Sequence, residues 1–174
     1  MTSLNFQEFH SGEVAVTLCI PLYNRPELIR ETLDSILAQT HPSWEALIVD
    51  DGSTDSSPSV VQDYAARDAR IRLISRNREP KGACTCRNIA VDQARGRYVF
   101  FLDSDDVLAP FCLQQRVDVL DALPTVDFAS FGMLLFERTT ADANVLWNIE
   151  TGEDDLERLL RLDPVWSGTG PLWR

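Results

Sequence analysis

Two acidic clusters dominate the chemistry this chain could perform. Asp50-Asp51-Gly52-Ser53-Thr54-Asp55 follows the apolar run ALIV (46–49), and Asp103-Ser104-Asp105-Asp106 follows YVFFL (98–102). A single such cluster could be only a turn or a cap, because Asp and Ser both form those. Two clusters, each directly after a strongly apolar run, imply a shared edge. There the carboxylates repel unless something cationic or hydrogen-bonding binds between them. Hard carboxylate oxygens suit Mg²⁺ or Mn²⁺, which take few protein ligands and complete their shells with phosphate and water. Such a cation would let an acidic protein hold a diphosphate.

The elements that must position these groups are legible as alternating patterns. VAVTLCI (14–20), ALIV (46–49) and YVFFL (98–102) are continuous apolar runs, and IRLI (71–74) is a shorter one. Such runs mark strands buried on both faces, as in a parallel sheet. Helical patterns separate them. Asn24, Pro26 and Glu27 form a helix-start signature, followed by a face of Leu28, Ile29, Leu33, Ile36 and Leu37. Ser57 before Pro58 reads as a second cap, and a third helix after Gly82 carries Cys86, Ile89, Ala90 and Ala94 on one side. The alternation predicts an α/β fold with a mostly parallel, Rossmann-like sheet flanked by helices. Ligands of such sheets bind at the carboxyl ends of the strands, where both acidic clusters and Pro21-Leu22-Tyr23-Asn24-Arg25 fall.

The rest of the chain is less regular. Residues 1–13 read as an N-terminal arm, residues 14–110 as the regular half, and 111–174 as a second, incomplete half of the same domain. That second half should hold a helix near Pro110–Ala122, a strand at Phe128–Phe136, a polar stretch at Thr139–Asn144 and a short helix at Asp154–Leu162.

Composition sets further limits. The 174 residues are 44% hydrophobic, enough for one globular core and too many for a disordered chain. With 16 basic and 27 acidic residues the net charge is −11, a poor match to nucleic acid or an anionic lipid surface. No apolar run approaches the roughly 18 residues of a membrane span, and no signal peptide pattern is present, so a cytoplasmic location is expected. Cys19, Cys84, Cys86 and Cys112 lack zinc spacing and read as reduced thiols, and His10 and His41 are isolated.

The segments VTLCIPLYNRPELIRETLDSILAQT, WEALIVDDGSTD and GACTCRNIAVDQARGRYVFFLDSDD, in this order and spacing, resemble the nucleotide-sugar-binding half of a family 2 glycosyltransferase with the GT-A fold. The resemblance is strongest from Val14 to Pro110. It implies transfer of a sugar from a nucleoside diphosphate donor, a UDP sugar by the family's habit, to an acceptor hydroxyl with inversion. The acceptor would be a carbohydrate, a lipid-linked saccharide or a protein, within polysaccharide biosynthesis or a related pathway.

By motif position, Pro21 and Tyr23 would border the nucleoside and Asp51 would accept a hydrogen bond from the base. Asn24, Arg25, Asp50 and Ser53 belong to the same nucleotide-binding loops. Asp103 would lie near ribose and metal, with Ser104 beside it, and Asp105 would ligate the Mn²⁺ or Mg²⁺. Gly82 opens the helix that bears the family's Arg87-Asn88 pair. Arg87 would contact ligand or brace the acidic loop by an ion pair. Arg76, Arg78 and Lys81 are diphosphate contacts or a solvated basic loop. The general base expected near WSGTGPLWR falls past Arg174, and Glu150, Asp154, Asp155 and Asp163 do not match its position.

Two other functions share these residues. FFLDSDDVL also fits a haloacid-dehalogenase-type phosphatase loop, with Asp103 as nucleophile and Asp105 as acid/base. That chemistry wants a later lysine, whereas Lys81 is the chain's only one, and the loop would have to end the first strand. The other is a nucleotide-sugar-binding module without turnover. A dinucleotide-binding dehydrogenase lacks its G-x-G-x-x-G after the first strand.

Overall fold

The computed structural model describes residues 14–135, 139–143, 145–147 and 171–174. The four predicted strands form as β1 (Val16–Leu22), β2 (Trp44–Asp50), β3 (Ile71–Ser75) and β4 (Tyr98–Phe101). Between them lie α1 (Pro26–Leu37), α2 (Ser57–Ala65) and α3 (Ala83–Val91), and α4 (Cys112–Ala122) follows β4. Two short strands, β5 (Phe128–Ala129) and β8 (Leu172–Trp173), complete a six-stranded sheet of order β3-β2-β1-β4-β8-β5. The first four strands are parallel, while β8 runs antiparallel to both β4 and β5. β6 (Met133–Leu135) and β7 (Val145–Trp147) pair as a separate hairpin. Architecture and strand direction agree with the expected mostly parallel α/β fold.

The apolar runs are continuous because both sheet faces are covered. Leu18, Ile20 and Leu22 of β1 pack with Ile29, Leu33 and Ile36 of α1, Val61 of α2, and Leu113 and Leu120 of α4. The alternate residues Cys19, Leu47 and Val49 pack against Cys86, Ile89 and Ala90 of α3. The period of two along each strand thus divides one apolar sequence between two cores.

The strand order fixes where a ligand can bind. From β1 the chain winds outward through β2 to β3, then returns to place β4 on the other side of β1. The carboxyl ends of β1 and β4 thus lie side by side where the strand order reverses, the switch point at which such sheets form their ligand crevice.

At the opposite edge, Glu45 interrupts the apolar run of β2 and is 1% exposed. Its carboxylate accepts hydrogen bonds from Thr17 Oγ1 (2.9 Å), the Arg95 backbone N–H (2.8 Å) and the Arg95 guanidinium (2.6 and 2.9 Å). Gly96 follows with its N–H on Thr17 Oγ1 at 2.8 Å. A Cβ at Gly96 would lie 2.5 Å from the Thr17 backbone nitrogen, so the close approach requires glycine. This cluster ties the α3–β4 connection to β1 and β2, which sets the height of β4 in the sheet.

Several local expectations change. α1 does begin at Pro26, but Asn24 does not cap it: Asn24 adopts φ +51° and Arg25 occupies the cap position without a side-chain cap bond. Ser57 is the first residue of α2 rather than its cap, and the Asp55 carboxylate accepts its N–H at 2.8 Å. The single strand expected at Phe128–Phe136 is split into β5 and β6, with Gly132 in the break, where a missing side chain weakens a strand. Phe131 instead packs on the main core. The arm at 1–13, the helix at Asp154–Leu162, and Glu150, Asp154, Asp155 and Asp163 lie outside the described residues. No helix among the described residues is long and apolar enough to cross a membrane.

Two expectations follow. Glu45→Ala should destabilise the fold by about 2–3 kcal/mol, because it strands the Thr17 hydroxyl and an Arg95 amide, and a loss under about 0.5 kcal/mol in urea titration would contradict that. Cys19, Cys86 and Cys112 are buried and Cys84 is exposed. Burial, reinforced by Glu45, pushes the Cys19 thiol up to about 12. Alkylation of the native chain at pH 8 should therefore consume one equivalent, at Cys84, and the other thiols only after unfolding.

Candidate functional site

The loops at the carboxyl ends of β1, β2 and β4, with the start of α3, enclose a cleft of about 290 Å³. Pro21 and Leu22 line it from the end of β1, and Tyr23 and Arg25 from the β1–α1 loop. Asp51 comes from the loop after β2, Ala83 and Arg87 from α3, and Asp103, Ser104 and Asp105 from the loop after β4.

Backbone and side-chain bonds hold this rim together. The Asp50 carboxylate accepts the N–H groups of Gly52 and Ser53 at 3.2 Å and folds its own loop, where Gly52 takes φ +84°. The Asp51 N–H donates to the Leu22 carbonyl at 2.9 Å. Ser53 Oγ accepts the Asn24 N–H at 3.0 Å, and Asn24 Oδ1 accepts the Thr54 N–H at 2.8 Å. Ser57 Oγ accepts the Arg25 N–H at 2.8 Å. The β1 and β2 loops are thus stitched together, and the left-handed backbone at Asn24, tolerated well by Asn, makes the stitch possible.

The far end of the acidic loop is anchored through Gln39. Its buried amide donates to the Ala109 carbonyl at 2.8 Å and accepts the Leu113 N–H at 3.0 Å. Ser35 Oγ accepts the Leu108 N–H at 3.1 Å. Gln39 and Ser35 close α1 onto the segment that leads from Asp106 into α4.

Each acid in the cleft faces an arginine. Asp51 Oδ1 lies 2.6 Å from Arg76 Nε, an ion-pair contact without hydrogen-bond alignment. The Arg87 guanidinium donates to Asp103 Oδ1 at 2.5 Å, and Arg25 pairs with Asp105. These three cations offset the like-charge repulsion between the acidic clusters. The Asp51 carboxylate also bears on Cys86: burial first, then this charge, pushes the thiol up to about 11.

The cleft brings together Pro21, Tyr23, Arg25, Asp51, Arg87, Asp103, Ser104 and Asp105 from the expected set. Asn24, Asp50 and Ser53 belong to its framework. Lys81 stands at the rim with Nζ 3.7 Å from the centroid of the Tyr23 ring, and Gly82 takes φ +137° at the cap of α3. Arg87 braces the acidic loop, and Arg76 backs Asp51 while also pairing with Glu79 at 2.9 Å. Arg78 pairs with Asp92 at 2.8 Å, and Asn88 lies on the exposed side of α3. Leu22 and Ala83 line the cleft unforeseen, because apolar types carry no chemical signal of their own.

The donor set suits a divalent cation of one kind. Among the described residues, no three His, Cys, Asp or Glu converge into a closed metal cage. Asp103 and Asp105 present half-exposed carboxylates on the cleft wall, each beside an arginine, which fits an ion that takes its other ligands from phosphate and water.

Known proteins resemble this chain in sequence and fold. The putative teichuronic acid biosynthesis glycosyltransferase TuaG of Bacillus subtilis is 36% identical over 128 residues, covering 73% of this chain and 50% of that protein. Among solved structures, the mannosyltransferase PcManGT from Pyrobaculum calidifontis, in complex with GDP-Man and Mn²⁺, superposes with a TM-score of 0.61 and 34% identity. That match covers 69% of this chain and 36% of that one. S. aureus TarS 1–349 in complex with UDP gives a TM-score of 0.58 and 30% identity over 66% of this chain and 34% of that one. The chain thus spans half the length of the first relative and about a third of the two solved chains. The description "Glycosyl transferase family 2" matches residues 17–159. With that match over most of its length, on a GT-A sheet with its cleft at the crossover point, the chain belongs to glycosyl transferase family 2.

Proposed function

We propose that the cleft binds a nucleoside diphosphate sugar, UDP-linked, and that the whole protein transfers the sugar to an acceptor hydroxyl with inversion. The observation that carries this reading is the convergence of Tyr23, Asp51, Asp103 and Asp105 in one cleft at the crossover between β1 and β4. The likeness to TarS with UDP and to PcManGT with GDP-Man and Mn²⁺ supports it.

In this reading the Tyr23 ring and Pro21 bound the nucleoside, and Asp51 accepts a hydrogen bond from the base. Arg76 behind Asp51 fixes the direction of that carboxylate. Asp103 lies toward the ribose, and Asp103 and Asp105 are the residues that hold Mn²⁺ or Mg²⁺. When bound, that ion neutralises the charge developing on the departing diphosphate. Arg87 holds Asp103 in place, while Lys81 over Tyr23 closes the nucleoside side and carries a charge toward the phosphates.

Inversion follows when the acceptor attacks from the face opposite the leaving diphosphate, assisted by a general base. Among the described residues, the acids on the cleft are Asp51, Asp103 and Asp105, all three on the donor side and paired with arginine. The acceptor is a carbohydrate, lipid-linked saccharide or protein hydroxyl. The free thiols fit the reducing cytoplasm, where the protein would act.

Calorimetry tests the two central assignments. Asp105→Asn should abolish the tightening of UDP binding by Mn²⁺ while leaving the far-UV spectrum unchanged, and undiminished metal dependence would contradict its role. Asp51→Ala should weaken UDP by about ten-fold or more, yet leave pyrophosphate binding near its original strength. Equal losses for both ligands would contradict base recognition.

A further inference from the structure

We infer that Arg25 is a placeholder for the divalent cation: its guanidinium occupies the Asp105 carboxylate until metal displaces it, and the displaced side chain then grips the diphosphate. This inference rests on the donor-site reading and adds to it a switch, which makes metal and nucleotide binding depend on one another.

The three acid–arginine pairs of the cleft differ in how freely they can open. Arg76 is 18% exposed beside an Asp51 that is 8% exposed, and it is further held by Glu79 and the Arg78 carbonyl. Arg87 is 23% exposed and rises from the middle of α3, whose Cys86, Ile89 and Ala90 are packed against the sheet. Arg25 is 44% exposed and Asp105 is 41% exposed. Among the described residues, Asp105 is the side-chain partner of Arg25. Its backbone, by contrast, is fixed by the Ser57 hydroxyl and by the start of α1. A mobile guanidinium on a fixed stem can swing through an arc without disturbing the fold.

Electrostatics decides what happens when a cation arrives. A guanidinium and a doubly charged ion at one carboxylate would sit within a few ångströms of each other, with strong repulsion and one set of lone pairs to share. An exposed ion pair contributes little, so a divalent cation with phosphate ligands displaces the guanidinium at small expense. Arg25 already lines the same cleft, and the diphosphate supplies the nearest new anion. The metal frees the arginine, the arginine secures the diphosphate, and by reciprocity the diphosphate favours the metal. In the metal-free protein the same guanidinium relieves the repulsion between Asp103 and Asp105.

Arg25→Met preserves length and removes the charge, and Arg25→Lys keeps a charge with poorer geometry. Three affinities should be measured for each protein: Mn²⁺ alone, from the paramagnetic resonance of free Mn²⁺; UDP with chelator; and UDP in saturating Mn²⁺. Arg25→Met should bind Mn²⁺ alone about two- to five-fold more tightly than wild type, because nothing competes for Asp105. It should bind UDP in Mn²⁺ about ten-fold more weakly, because the diphosphate loses a charge-assisted donor. Arg25→Lys should fall between the two on both scales. The inference is overturned if Arg25→Met matches wild type in both measurements, or if it binds Mn²⁺ alone more weakly. A wild-type chain whose UDP affinity ignores Mn²⁺ would instead overturn the donor-site reading itself, and this switch with it.

Discussion

Carboxylates gathered on one rim of a parallel sheet repel one another, and that repulsion organises the whole upper edge of this domain. Asp51, Asp103 and Asp105 reach the rim because each follows the carboxyl end of a parallel strand, and none can retreat into a core made of Leu, Ile and Val. Each is instead matched with an arginine that comes from a different loop or helix. The acid–arginine pairs bind the rim into a unit. They also leave it poised, because every pair is a point where a more strongly charged species could intervene.

The lower edge of the sheet is built for the reverse purpose. The Glu45 carboxylate is saturated by Thr17 and Arg95, and Gly96 allows the chain to pass within contact of β1. A buried carboxylate with all its bonds made is hard to perturb, whereas half-exposed pairs such as Arg25–Asp105 exchange partners readily. One end of the sheet sets the register of β1, β2 and β4, and the other end uses that register to aim side chains. The GT-A architecture thus separates rigidity from adaptability along the length of four strands.

Much of this was legible in the residues. Apolar runs of four to seven residues separated by helical stretches identify the parallel core, and the chemistry-bearing residues follow the runs directly. What periodicity could not disclose are the partners over long sequence separations. The ion pair of Arg87 with the acidic loop was one of two roles its motif implied, but the pairing of Arg25 with Asp105 and of Glu45 with Arg95 left no mark on the sequence pattern. Gln39 reads as a polar helix end, yet its amide fastens α1 to the approach of α4. Asn24 fits a helix-cap pattern, but the competing demand to join two loops takes it into a left-handed conformation. The second half was harder because its strands have two or three residues, too few for alternation to stand out, and because β8 enters the sheet from far along the chain.

The central claim is that oxygens of Asp103 and Asp105 share a divalent ion with a nucleotide diphosphate. Anomalous diffraction from crystals soaked with Mn²⁺ and UDP tests it most directly. The account predicts a manganese peak between those two carboxylates and the diphosphate, with Arg25 turned from Asp105 onto a phosphate oxygen. Nucleotide density with no manganese peak, and Arg25 still paired to Asp105, would contradict it.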